Sequence, residues 1–218
     1  MSAICGFIDR AGALQDPRAA LRAMHNALVQ RGSDGAAEYL HGGNGISVCW
    51  RGTDLAANIQ LPSNEDRTIH AVCDGRILNA ADLRDSLERK GHGFRTHSPF
   101  ECVVHAYEEY GSAFPEHIDG PFALAVYDAH AERLIIARDR VGARPLFYTD
   151  TSPVVAFASE PKALLACPGV ARELDPVALQ QYLLFGCVFA PRAIFRGMLK
   201  LLEGHSLVID KDATRPPR

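Results

Sequence analysis

Between residues 121 and 158 four apolar, strand-like segments follow one another: PFALAVYD (121–128), RLIIAR (133–138), PLFYT (145–149) and VVAFA (154–158). The stretches between them, DAHAE, DRVGARP and DTSP, carry turn residues and leave no room for a long helix. RLIIAR and PVVAFAS are apolar at consecutive positions, so both faces of these strands need cover. That requirement suits sheets packed face to face with helices outside them.

The remaining elements fit the same plan. AICGFID (3–9), GISVCW (45–50), TIHAVCD (68–74) and HSLVI (205–209) read as further strands. DPRAALRAMHNALVQRG reads as a helix. Asp16 is its N-cap, Pro17 its first residue, Leu21, Met24 and Leu28 share a face, and Gly32 stands near its stop. A second helix, NAADLRDSLERKG, is capped by Asn79 and ended by Gly91. In a third, SPFECVVHAYEEYG, Ser98 and Glu101 have capping-box spacing, Pro99 suits the first helical position and Gly111 ends it. Short helices are expected near 160–166 and 176–185. Helices close together with strands on both sides predict an α+β layered fold. Residues 1–210 form one domain on this reading, and the polar, Pro-containing 211–218 form a tail or linker.

Composition narrows the function. At 218 residues and 47% apolar the chain can bury one large core. A net charge of −3 without a Lys/Arg run gives no surface for nucleic acid. No apolar run reaches membrane-spanning length and no secretion signal opens the chain, so a cytoplasmic location is expected. The six cysteines are scattered without C-x-x-C spacing, which predicts free thiols. The nine histidines show no H-x-x-x-H or Cys/His cluster, so no metal site is expected.

Three stretches carry a family resemblance. RDRVGARPLFY resembles R-D-x-x-G-x-x-P-L-Y, FASEPKALL resembles F-A-S-E-x-K-A-L, and RGSDG (31–35) stands where R-G-P-D-G is usual. These resemble the glutaminase domain of asparagine synthetase-type enzymes over residues 1 to about 210. The resemblance implies a class II glutamine amidotransferase of the N-terminal-nucleophile type, a four-layer αββα sandwich of two antiparallel sheets. Working members of that family begin with Cys. Its thiol attacks the glutamine amide, its α-amine moves the proton, and the ammonia passes to a synthetase domain. A free α-amine titrates near about 7.7–8 and can act as that base.

The resemblance also shows where this chain departs. With DRAG (Asp9–Gly12) in register, the family's nucleophilic Cys falls on Ser2, and Cys5 falls on a small buried position of the first strand. The family's oxyanion motif N-G-E reads Asp74-Gly75-Arg76. Gly75 keeps a backbone donor, but Asp74 brings an acceptor where the Asn amide would donate. The family's contacts to the glutamine ammonium, Glu in that motif and Asp near the third helix, become Arg76 and Pro99. Arg51 retains the position that binds the α-carboxylate.

The favoured expectation is therefore a glutaminase-type domain without glutaminase activity, serving as a structural or docking module for an ATP-dependent synthetase domain or subunit, or within a homo-oligomer. Two alternatives stand beside it: an active amidohydrolase using Ser2, or Cys5, to supply ammonia, and an anion-binding module through Arg51 and Arg76. No S-G-G-x-D-S phosphate loop occurs, so no cofactor is expected on this chain, and ATP and Mg are expected only on a synthetase partner or further domain.

Overall fold

The computed structural model describes residues 2–52, 61–150 and 153–215. The turn expected over DTSP lies partly outside these residues, as do the last three residues of the expected tail. Eleven strands and five α-helices are ordered along the described chain, and the strands form two antiparallel sheets.

The six-stranded sheet contains β1 (Ser2–Asp9), β2 (Gly35–His41), β3 (Asn44–Trp50), β7 (Phe147–Asp150), β8 (Val154–Ala158) and β9 (Met198–Lys200), in the order β2-β3-β1-β8-β7-β9. The five-stranded sheet contains β4 (Ile69–Gly75), β5 (Phe122–Asp128), β6 (Arg133–Arg138), β10 (Ser206–Asp210) and β11 (Thr214–Arg215), in the order β11-β10-β6-β5-β4. Strands β2, β9 and β11 add to those read from the sequence. Two of them are only two or three residues long, too short for an apolar pattern. β2 is half-exposed throughout, so its residues carry little burial signal. Part of the expected tail is thus paired: Ile209 lies opposite Thr214 and Val208 opposite Arg215.

Strand alternation sorts the core into layers. From β1, Ile4 and Ile8 meet Ala125 and Tyr127 of β5 and Leu134 and Ile136 of β6 between the sheets. The opposite face of β1, with Ala3, Cys5 and Phe7, packs on α1 (Pro17–Asn26) and α4 (Pro161–Leu165) through Leu21, Met24 and Leu164. The outer face of the second sheet, with Leu124, Val126 and Ile135, packs on α2 (Ala80–Arg89) and α3 (Glu101–Tyr110) through Leu87, Val103 and Ala106. The order helix, sheet, sheet, helix is the expected αββα sandwich. The last helix, α5 (Pro176–Phe185), precedes β9 at the edge of the six-stranded sheet.

The helix caps divide. Asp16 accepts from the Ala19 N–H at 2.9 Å, as the sequence predicts for α1. Asn79 does not cap α2. Its amide instead receives the Asp119 N–H and donates to the His117 carbonyl, tying a distant loop to the helix start. The expected capping box of α3 is also absent. The helix starts at Glu101, Pro99 lies in the preceding turn, and the Glu101 carboxylate receives the Arg95 and Thr96 N–H groups at 2.7 and 2.8 Å.

The motif residues mostly shape loops around the sheets. Asp139 of RDRVGARP is buried and receives N–H groups from Phe122, Val141 and Ala143. Arg138 donates to the carbonyls of Gly142, Arg144 and Leu201. Ser159 of FASEPK receives the Ile4 N–H on its hydroxyl, and its own N–H donates to the Ile4 carbonyl. Asp9 receives the Ala13 and Leu14 N–H groups, holding the DRAG turn.

Candidate functional site

Alternation along β1 puts Ser2 on the same face as Ile4, toward the gap between the sheets. Alternation along β4 puts Asp74 on the same face as Val72, also toward that gap. The two residues meet there, 72 positions apart in sequence: the Ser2 hydroxyl donates to Asp74 Oδ1 at 2.8 Å. Asp74 is fully buried.

Arg31 completes the group. It ends the 3-10 turn Val29–Arg31 that follows α1. Its Nη2 donates to Asp74 Oδ2 at 2.9 Å and its Nε to the Ser2 carbonyl at 3.2 Å. Its Nη1 also pairs with Glu160 at 3.5 Å. Burial raises the Asp74 carboxyl above the usual range, while the Ser2 hydrogen bond and the Arg31 and Arg144 charges pull it back down. Both Asp74 oxygens are therefore engaged, one by a hydroxyl and one by a guanidinium. A carboxylate so held offers acceptors to the space beside Ser2.

Gly75 follows at φ +147°. A Cβ there would stand 2.1 Å from the Pro121 carbonyl oxygen, so the glycine is needed for the close approach of β4 to β5 whatever its chemical role. Arg76 is exposed, and its N–H donates to the Pro121 carbonyl at 2.9 Å. Arg51 is exposed just past the end of β3, within electrostatic reach of Asp34. The Ser33 hydroxyl and the Gly52 N–H hold the Asp34 carboxyl below its usual range, with Arg51 adding a smaller pull. Pro99 is exposed before α3. Cys5 points away from the gap, is buried against α1 and α4, and burial drives its thiol far upward.

Sequence reasoning named Ser2 and Asp74 but gave no role to Arg31, Glu160 or Arg144. Each stands inside a quoted stretch, RGSDG, FASEPK or RDRVGARP, where the motif served only as a marker of resemblance. A second grouping was hidden by spacing. His92, His105 and Glu108 place ligand atoms within 4.8 Å of one another. In this group Glu108 receives the Asn64 amide at 2.9 Å, which fastens the segment before β4 to α3, and is bonded to His105 Nδ1 of the same helix at 2.9 Å. A cavity of about 570 Å³ opens between Phe122, Ile118 and the loop Arg138–Ala143, and neither Ser2 nor Arg51 nor Arg76 lines it.

The sandwich and the Ser2 position at the inter-sheet edge define a class of protein, and similarity agrees. The chain belongs to the glutamine amidotransferase domain family, whose model matches residues 1–218. It is a class II glutamine amidotransferase domain of the N-terminal-nucleophile type, homologous to the glutaminase part of asparagine synthetases. It is 30% identical over 220 residues to the glutamine-hydrolyzing asparagine synthetase 3 of Bacillus subtilis (strain 168), covering 97% of this chain and 35% of that protein. Over 121 residues it is 43% identical to a putative glutamine-hydrolyzing asparagine synthetase 1 of Methanocaldococcus jannaschii, covering 54% of this chain and 22% of that protein. The glutamine phosphoribosylpyrophosphate amidotransferase of B. subtilis shares the fold, with a TM-score of 0.66 at 17% identity, covering 99% of this chain and 48% of that one. The chain spans between about a fifth and about a third of the length of the B. subtilis synthetases it matches.

Proposed function

We propose that this domain is a glutaminase-type module that does not hydrolyse glutamine and that serves an ATP-dependent synthetase as a structural or docking part. The observation that carries the reading is the bond from the Ser2 hydroxyl to the buried Asp74 carboxylate, itself paired with Arg31. An amidohydrolase must donate hydrogen bonds to the oxyanion that forms beside its nucleophile. Loss of one such donor costs about 10²–10³ in rate. Here an acceptor occupies the place that the resemblance assigns to the donor, and it repels developing negative charge. A serine hydroxyl is also harder to activate than a thiol. The changes at Arg76 and Pro99 remove the groups assigned to the substrate ammonium. In this reading ATP and Mg belong to the synthetase, none to this chain, and the whole works in the cytoplasm, where free thiols persist.

The same pair favours one other reading. A hydroxyl already bonded to a carboxylate is a nucleophile beside a base, so Ser2 would be the reacting residue if the site turns over. Glutamate release from glutamine distinguishes the two. We expect release no faster than in a protein-free control. Turnover that Ser2→Ala abolishes would overturn the inactive reading and establish the second.

A further inference from the structure

Helix α5 has the sequence PVALQQYLLF, with no charged residue in it. Only Ala178 is buried. Tyr182, Leu183, Leu184 and Phe185 are 53, 75, 68 and 63% exposed, with Val177 and Phe189 exposed beside them. At 100° per residue these side chains point in most directions around the helix rather than along one stripe. A helix apolar all round is normally enclosed, and this one is bare.

The helix is nonetheless well built. Asp175 receives the Val177 and Ala178 N–H groups at 2.8 and 3.1 Å and pairs with Arg192 at 2.7 Å. Gly186 closes the helix in the left-handed conformation at φ +72°. Gln181 of α5 receives the Phe189 N–H, and Lys200 of β9 donates to the Val188 carbonyl, so the returning chain is fastened to both the helix and β9. Few contacts hold the helix in place, while most of its side chains stay open.

We infer that α5 is the face on which the synthetase docks, inserting into an apolar groove of that partner, whether the partner is a further domain or a separate subunit. The inference rests on the proposed function for the partner's identity. In the B. subtilis relative this region is 35% of the polypeptide, so a larger body accompanies it there and is available to cover the helix. A two-fold pairing with a second copy would cover one stripe of α5 and leave the others in water. A groove in a larger body covers several sides at once.

Cys187 supplies a direct readout. It is the exposed one of the six cysteines and lies just past the end of α5. The test mixes this chain with the asparagine synthetase-type synthetase polypeptide of the same organism, purified separately. Binding is followed by analytical ultracentrifugation and by iodoacetamide labelling of Cys187. We expect a one-to-one complex in which labelling slows at least tenfold. The double variant Leu183→Glu, Leu184→Glu should bind about 100-fold more weakly, and Arg89→Glu on α2, in the helix layer of the other sheet, should bind unchanged. An unchanged circular dichroism spectrum and Tm would show that the double variant still folds. No complex, or equal binding by the double variant, would overturn the inference. Self-association of the chain alone, lost in the double variant, would overturn it in favour of a second copy. Glutaminase activity in the same preparation would count against the proposed function and leave the docking result to stand separately.

Discussion

Arg31 touches three groups at once: the Ser2 carbonyl, the Asp74 carboxylate and Glu160. Its side chain is largely buried and that of Asp74 almost wholly so. Removing one member of such a pair strands the other charge, at a cost of about 3 kcal/mol or more. Arg31→Ala should therefore lower Tm by roughly 6–12 °C in a domain of this size. An unchanged Tm by calorimetry would show that solvent already screens the pair. Asp74 itself gives a pH signature. Its carboxyl is raised in the folded state, mainly by burial. Between the unfolded value near about 3.9 and the raised folded one, the native chain holds more protons than the unfolded chain, so stability falls as pH rises through that window. Asp74→Asn removes the titration. Its Tm should gain on the native protein as pH climbs above about 4, and parallel Tm–pH curves would refute the assignment. At this scale the sequence was legible where a motif fixed the register. Ser2 and Asp74 could be named because the resemblance puts them at the family's nucleophile and oxyanion positions. Their bond could not be named, because it joins two strands through a gap that only the sandwich creates.

Elements were legible where local chemistry decides them and misread where distant groups compete for the same side chain. Asp16 caps α1 as predicted, its carboxylate receiving the Ala19 N–H. Asn79 and Glu101 have the right types at the right positions, yet each serves a neighbouring loop instead. Glu101 is buried and receives two backbone N–H groups. Hydrogen bonds to a charged acceptor are worth about 1.5–3 kcal/mol each, so Glu101→Ala should destabilise by at least 2 kcal/mol. Denaturant unfolding would measure it, and a loss under 0.5 kcal/mol, roughly that of an ordinary surface change, would show the loop needs no anchor. Helix α5 was found by its apolar run, but sequence could not tell a bare apolar helix from a buried one. Periodicity reports how apolar a segment is, and only the packed neighbours show whether anything covers it.

Across the whole molecule, three apolar layers between and outside the two sheets account for the helix, sheet, sheet, helix order. The consecutive strands from 121 to 158 made this legible, since segments apolar on both faces have few other places to go. They also distribute between the sheets in a way their order does not reveal: β5 and β6 join one sheet, β7 and β8 the other. No helix among the described residues is long and apolar enough to cross a membrane. The motif residues tie the loops of this scaffold, and on the proposed reading the gap at the Ser2 end lacks donors and charges that the family's chemistry asks for. The central claim is that this gap no longer performs that chemistry. Its most direct test is an intact mass spectrum before and after incubation with a diazo-ketone analogue of glutamine, which alkylates a working nucleophile. The account predicts an unmodified chain, with Ser2 held by Asp74 and Cys5 shut inside the core. A stoichiometric adduct mapped to Ser2 or Cys5 would contradict it and make this domain a live glutaminase.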